Sequence, residues 1–124
     1  MAKRLTILLT EDDEIHREMT HRMLGDLFDL HDAETGEQAL ELLDRITFHC
    51  VLLDNRLPDY TGIELLPLIA RHEVPVIMLT SLVTDELIAE AEYGGCKWLI
   101  SKDGLTTNAL VDAISNAAVT PATR

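Results

Sequence analysis

Basic side chains are scarce in this chain: 10 Lys and Arg stand against 22 Asp and Glu, for a formal net charge of -12. Such a balance repels phosphate backbones and anionic lipid at long range, which excludes unaided nucleic-acid binding and makes a membrane surface an unsuitable partner. No run nears the roughly 20 consecutive apolar residues of a membrane span. The start, Met1-Ala2-Lys3-Arg4 followed by a short strand-like run, lacks the apolar core of a signal peptide. A cytoplasmic location is the resulting expectation. The two cysteines, Cys50 and Cys96, form no CxxC pair and have no spaced His/Cys partners for zinc. They read as buried free thiols. Internal repeats, low-complexity tracts and an interdomain linker are also missing.

The chain has 124 residues, 47% hydrophobic and 26% charged, which suits one globular domain with a real core. Short apolar runs alternate with amphipathic stretches, the pattern of a parallel sheet with helices on both faces. Strands are expected near Arg4 to Leu9, Leu30 to Ala33, Cys50 to Leu53, Pro75 to Leu79 and Trp98 to Ile100. The run Cys50-Val51-Leu52-Leu53 is apolar on both faces and predicts the central strand. Helices are expected over 14–27, 36–45, 62–71, 85–93 and 106–118. The first should bury a stripe of Ile15, Met19, Met23, Leu24 and Leu27. In the third, Pro67 lies past the first turn, so it should either kink the helix or delay its start. Gly94-Gly95 closes the fourth. The domain is expected to span 1–120, with 121–124 a frayed tail or the start of a linker.

Four scraps rich in chemistry fall where four of these strands end: Glu11-Asp12-Asp13, Asp54, Thr80-Ser81 and Lys102. The carboxyl ends of parallel strands share one edge, so these groups meet in one crevice. A nucleotide fold would place glycines or hydroxyls after the first strand to approach a phosphate; three acids there repel one unless a cation intervenes. Hard oxygen donors from two strand ends are what Mg²⁺ takes up. Asp13 alone reads as a cap on the first helix, where negative charge suits the dipole, whereas Asp12, with Asp54 opposite, reads as a metal ligand. Asp54 on its own fits two roles equally: a carboxylate nucleophile toward phosphorus, or an organiser of the Asn55-Arg56-Leu57-Pro58-Asp59 turn. Lys102 fits an ion pair or an exposed loop, and Thr80 a phosphoryl ligand or a helix cap. The five histidines, His16, His21, His31, His49 and His72, show no metal spacing and read as surface residues.

Taken in order, Ile7-Leu8-Leu9-Thr10-Glu11-Asp12-Asp13, Leu52-Leu53-Asp54 with Leu57-Pro58 and Gly62, Pro75-Val76-Ile77-Met78-Leu79-Thr80-Ser81, and Lys102 closely resemble the receiver domain of two-component response regulators across nearly the whole chain. The resemblance implies a flavodoxin-like (βα)5 doubly wound sheet of strand order 2-1-3-4-5. It implies that Asp54 accepts a phosphoryl group from a histidine kinase or histidine phosphotransfer protein. Glu11, through water, and Asp12 would hold Mg²⁺ (or Mn²⁺) with Asp54 and the backbone carbonyl of Arg56. Thr80 and Lys102 would bind phosphoryl oxygens. The domain would be no conventional enzyme but would catalyse its own phosphorylation and dephosphorylation. The surface of its fourth helix, fifth strand and fifth helix would then switch to control a downstream protein, a covalently attached output domain or a phosphorylation-dependent dimer.

Three positions depart from that family. Leu99 stands where an aromatic switch residue is usual, with Trp98 one place earlier. Asp103 replaces the common Pro after the lysine, so a trans peptide is expected. Arg56 carries a bulky cation beside the pocket, and with Leu82 it is expected to set the phosphoryl lifetime. Two rival classes are a phosphorylation-independent pseudo-receiver and a Mg²⁺-dependent phosphatase with an aspartate nucleophile. The phosphatase would usually carry a second Asp where this chain has Arg56, and the filled set of chemical positions argues against the pseudo-receiver.

Overall fold

The computed structural model describes residues 4–96 and 98–119. Five strands and five helices alternate: β1 (Thr6–Thr10), α1 (Glu14–Leu24), β2 (Asp29–Ala33), α2 (Gly36–Arg45), β3 (Cys50–Asp54), α3 (Gly62–Ala70), β4 (Val76–Thr80), α4 (Asp85–Tyr93), β5 (Trp98–Ser101) and α5 (Thr107–Val119). All pairings are parallel, in the order β2-β1-β3-β4-β5. The expected architecture is therefore present, and Cys50–Leu53 does lie in the central strand. The expected tail, 121–124, lies outside the described residues.

Successive strand residues point to opposite faces, which splits the core in two. Leu8, Val51, Leu53 and Met78 meet Leu43, Leu65, Ile69 and Leu87 from α2, α3 and α4. Ile7, Leu9, Leu52 and Ile77 meet Leu24 from α1 and Leu110 and Ile114 from α5. Truncating any of the fully buried leucines to Ala is worth about 2–5 kcal/mol, because relaxation fills little of the void. Cys50 and Cys96 are free and buried, as expected; burial pushes the Cys50 thiol up to about 12.

One expectation needs correcting, and one alternative is removed. The α1 stripe is displaced: Ile15, Met19 and Leu27 are 69%, 48% and 50% exposed, and the buried face carries Thr20 and Leu24. Thr20 hides its polarity by donating its hydroxyl to the His16 carbonyl one turn back, at 3.0 Å. The helix also stops at Leu24, short of Leu27. In α3, Pro67 does not delay the start; the helix begins at Gly62 behind a Thr61–Glu64 capping box and runs through the proline. Pro67 is exposed, so the Ile63 carbonyl it leaves without a helical donor can be met by water. Gly62 itself allows a close approach: a Cβ there would sit 3.0 Å from the Asn55 Cα and from the Met78 side chain. That contact holds the β3–α3 loop against the sheet.

Candidate functional site

The carboxyl ends of β1, β3, β4 and β5 open into a cleft of about 580 Å³. Glu11 follows β1 and is only 3% exposed. Its backbone N–H donates to Ala33 at 3.0 Å, which continues the β1–β2 ladder past the strand and turns the side chain into the cleft. Oε1 accepts from Lys102 Nζ at 2.7 Å, and Oε2 accepts from the Asp13 N–H at 3.2 Å. Burial, with the neighbouring Asp54 carboxylate adding to it against the opposing pull of Lys102, pushes Glu11 from 4.5 up to about 7.

Asp13 belongs to a different job. Its Oδ1 accepts from the N–H groups of Ile15 and His16 at 2.8 and 3.1 Å, capping α1. Those two donors, His16 first, hold its carboxyl below the usual range. Asp12, between the two acids, is exposed at the cleft mouth. The guanidinium of Arg17 donates to the carbonyls of Glu11 and Asp12 at 3.1 and 3.3 Å and fixes the turn that presents both.

Asp54 ends β3, opposite Leu79 of β4. Its Oδ1 lies 3.5 Å from Lys102 Nζ and accepts from the Arg56 N–H at 3.4 Å. Arg56 and Thr61 form an antiparallel bridge whose bonds run from Leu57 N–H to Tyr60 and from Gly62 N–H to Asn55. That pattern leaves the N–H and carbonyl of Arg56 itself facing away from Thr61, on the side where its N–H meets Asp54. Thr80 is 6% exposed; its hydroxyl donates to the Leu82 carbonyl and accepts from the Leu82 N–H, each at 3.3 Å. Lys102 N–H donates to the Thr80 carbonyl at 2.8 Å, one rung beyond the Thr80–Ser101 pair, so the sheet itself delivers the lysine to the cleft.

Glu11, Asp12 and Asp54 can each offer an oxygen within 4.8 Å of the others. Three carboxylates face a single ammonium there, and the buried one is pushed toward its neutral form. Such a set fits a hard divalent cation, which would restore the anions. A second hollow of about 240 Å³ opens at the opposite end of β4 between Leu66, Val76, Trp98 and Ala117, and its apolar lining offers nothing for phosphoryl chemistry.

A family model of the response regulator receiver domain matches residues 7–115. This chain belongs to that family. Among curated relatives, it is 32% identical over 76 residues to the transcriptional regulatory protein SrrA of Staphylococcus aureus, covering 60% of this chain and 32% of the relative. The chain thus spans about a third of the length of the curated relatives it matches. In fold it is similar to the chemotaxis protein CheY4 of Vibrio cholerae, with a TM-score of 0.84, 21% identity and coverage of 93% and 99% of the two chains. It is also similar to the receiver domain of the sensor histidine kinase PA1611 of Pseudomonas aeruginosa, with a TM-score of 0.83, 23% identity and coverage of 94% and 98%. That structure has a magnesium ion coordinated in its active-site cleft. Receiver domains are signalling modules of two-component systems rather than conventional enzymes. No helix among the described residues is long and apolar enough to cross a membrane.

Every residue singled out for the site, Glu11, Asp12, Asp54, Arg56, Thr80 and Lys102, lines the one cleft. Two of the departures from the receiver pattern also resolve. Leu99 faces the α2-α3-α4 side and Trp98 the α1-α5 side, so strand alternation keeps the indole from standing in at position 99. No cis peptide occurs among the described residues. Asp103 uses the N–H that a proline would lack, donating it to Ser101 Oγ at 3.1 Å. Sequence reasoning missed His16 and Arg17. By sequence His16 reads as a surface residue like the other histidines, whereas its ring lines the cleft with Nδ1 3.2 Å from Lys102 Nζ. A helical step of three residues from the capping Asp13 was the available signal, since the first turn of α1 borders the acidic loop.

Proposed function

We propose that this receiver domain is a phosphoacceptor whose Asp54 takes a phosphoryl group from a phosphohistidine. The observation that carries this reading is the place of the Asp54 carboxylate, at the cleft between the acidic pair and Lys102, which lies 3.5 Å away. One Asp54 oxygen attacks phosphorus, the P–N bond to the donor imidazole breaks, and the imidazole leaves with the electron pair and is reprotonated. Asp12, Asp54, the Arg56 carbonyl and, through water, Glu11 would hold Mg²⁺, or Mn²⁺ in its place; a magnesium ion is coordinated in the active-site cleft of the PA1611 receiver domain. Bound there, the ion supplies charge neutralisation for the transferring group. Lys102, already in the cleft, neutralises a second phosphoryl oxygen. Thr80 supplies the hydroxyl for a third once it releases Leu82.

That release links chemistry to signalling. Leu82, Val83 and Ile88 are exposed beside the β4–α4 loop, and a shift of the loop would favour one of two arrangements of the α4-β5-α5 surface. The donor is a histidine kinase or histidine phosphotransfer protein in the cytoplasm. The signal passes to a partner protein, an attached output domain or a second copy of the chain.

Incubation with Mg²⁺ and acetyl phosphate, followed by intact mass measurement, tests the reading. A stable gain of one phosphoryl group that disappears in Asp54→Asn is expected. Release of free phosphate with no phosphorylated protein accumulating would favour the phosphatase, and an unreactive protein the pseudo-receiver; either overturns the proposal.

A further inference from the structure

His16 lines the cleft, yet neither the acidic pair nor the phosphoryl ligands account for its ring. Both ends of its backbone are tied: its N–H donates to Asp13 Oδ1 at 3.1 Å, and its carbonyl accepts from the Thr20 hydroxyl at 3.0 Å. The ring is therefore carried on a fixed turn of α1. Its Nδ1 lies 3.2 Å from Lys102 Nζ, against 3.9 Å from Glu11 Oε1 and 4.0 Å from Asp13 Oδ2. Only the lysine is within hydrogen-bond reach. An ammonium has protons and no lone pair, so Nδ1 must accept and the ring proton must sit on Nε2. The Lys102 ammonium then donates to Glu11 Oε1 at 2.7 Å and to His16 Nδ1 at 3.2 Å, and on the cleft side it faces Asp54 Oδ1 as an ion pair at 3.5 Å.

We infer that His16 is a positioning residue of the phosphoryl site, its Nδ1 holding the Lys102 ammonium within reach of Asp54. The inference rests on the phosphoacceptor reading above. Lysine is a flexible point charge that loses considerable rotamer freedom when fixed. The ion pair with Glu11 alone leaves the ammonium free to swing about that contact, and a second acceptor on a separate, rigid element removes the freedom. The turn after the lysine supports the same end, since the Asp103 N–H bond to Ser101 fixes the backbone just beyond it. Removing His16 leaves the charge in place but unaligned, which lowers the rate of transfer without altering how the donor or the fold is held.

Two measurements test this. In the metal-free protein, imidazole ¹⁵N NMR at a pH above the histidine range should find His16 with its proton on Nε2, and Lys102→Met should shift the Nδ1 resonance. With acetyl phosphate and saturating Mg²⁺, His16→Leu should lower the maximal phosphorylation rate about fivefold, the worth of one hydrogen bond of about 1 kcal/mol. The half-saturating donor concentration and the unfolding midpoint should hardly change. His16→Asn, whose Oδ1 falls near the place of Nδ1, should recover most of the rate. A His16→Leu protein as fast as wild type, an Asn variant no better than Leu, or a His16 resonance indifferent to Lys102→Met would each overturn the inference. A wild-type protein that takes up no phosphoryl group would sink the phosphoacceptor reading instead, and the NMR result would still judge the contact.

Discussion

On the α1 wall of the cleft, Glu11 is gripped by Lys102 at 2.7 Å and by the Asp13 N–H at 3.2 Å, and Arg17 pins the carbonyls behind them. On the α4 wall, the Thr80 hydroxyl reaches only its near neighbour Leu82, at 3.3 Å, and Leu82 and Val83 stand 65% and 40% exposed. The contrast separates two tasks. Charges that must meet a cation and a phosphoryl group need fixed places before the reaction. An element that must report the reaction needs a second place to go, and few buried contacts hold the β4–α4 loop where it is.

The sharpest way to break this division is to remove one group from each wall. Asp12→Asn or Lys102→Ala should slow phosphorylation by acetyl phosphate about 100-fold, the scale of one lost electrostatic contact to a transferring group. Thr80→Ala should retain the reaction to within about tenfold while abolishing the response of the α4 side. Amide NMR shifts over residues 82–88 before and after phosphorylation read that response. Equal losses of chemistry from both walls, or an intact α4 response without the threonine hydroxyl, would erase the distinction.

Charge on the fixed wall should also answer to pH. Glu11 is pushed from 4.5 up to about 7, so the folded metal-free protein binds this proton more tightly than the unfolded chain. The stability from that proton is fully present below about pH 4.5 and is lost as pH rises through about 7. In chelator, the thermal midpoint should therefore fall across that window, and Glu11→Gln should flatten this part of the slope. Mg²⁺ must displace the same proton, so its apparent affinity should weaken about tenfold per pH unit below about 7. A pH-independent Mg²⁺ affinity in calorimetry would mean that Glu11 stays outside the cation's shell.

Much of this contrast could be read from residue order, and the reasons are physical. Apolar runs such as Val76-Ile77-Met78-Leu79 have little alternative to a doubly covered strand, and a parallel sheet then gathers Glu11, Asp54, Thr80 and Lys102 at one edge whatever their separation along the chain. Side-chain facing was harder. The α1 stripe chosen by apolarity holds at Met23 and Leu24 and fails at Ile15 and Met19, because Thr20 is buried through a local hydrogen bond that composition does not display. His16 escaped for the same reason: once the stripe rotates, the ring turns from the surface toward Lys102. Pro67 was tolerated because its side of α3 faces water, and periodicity alone did not show which side that was.

A smaller effect concerns the rim where the two walls meet. Arg56 and Leu82 both line the cleft near Asp54 and Thr80, so either can screen the acyl phosphate from an attacking water. Arg56→Ala and Leu82→Ala should each change the dephosphorylation rate, measured after removing the donor, by about three- to tenfold, since both alter water access rather than the bonding at phosphorus. Unchanged lifetimes in both variants would place the control of hydrolysis on the fixed wall.

The smallest change tests the boundary within the fixed wall itself. Asp12 and Asp13 are adjacent acids, yet Asp13 spends its carboxylate on the N–H groups of Ile15 and His16. Asp13→Ala should thus lower the unfolding midpoint by a few degrees, as loss of an N-cap does, and leave Mg²⁺ affinity within about twofold. Asp13→Asn, which keeps the capping oxygen, should restore the midpoint. A marked loss of Mg²⁺ binding in Asp13→Asn would move the acidic pair one residue along the chain, to Asp12 and Asp13. Glu11 would then be left as the buried partner of Lys102 alone.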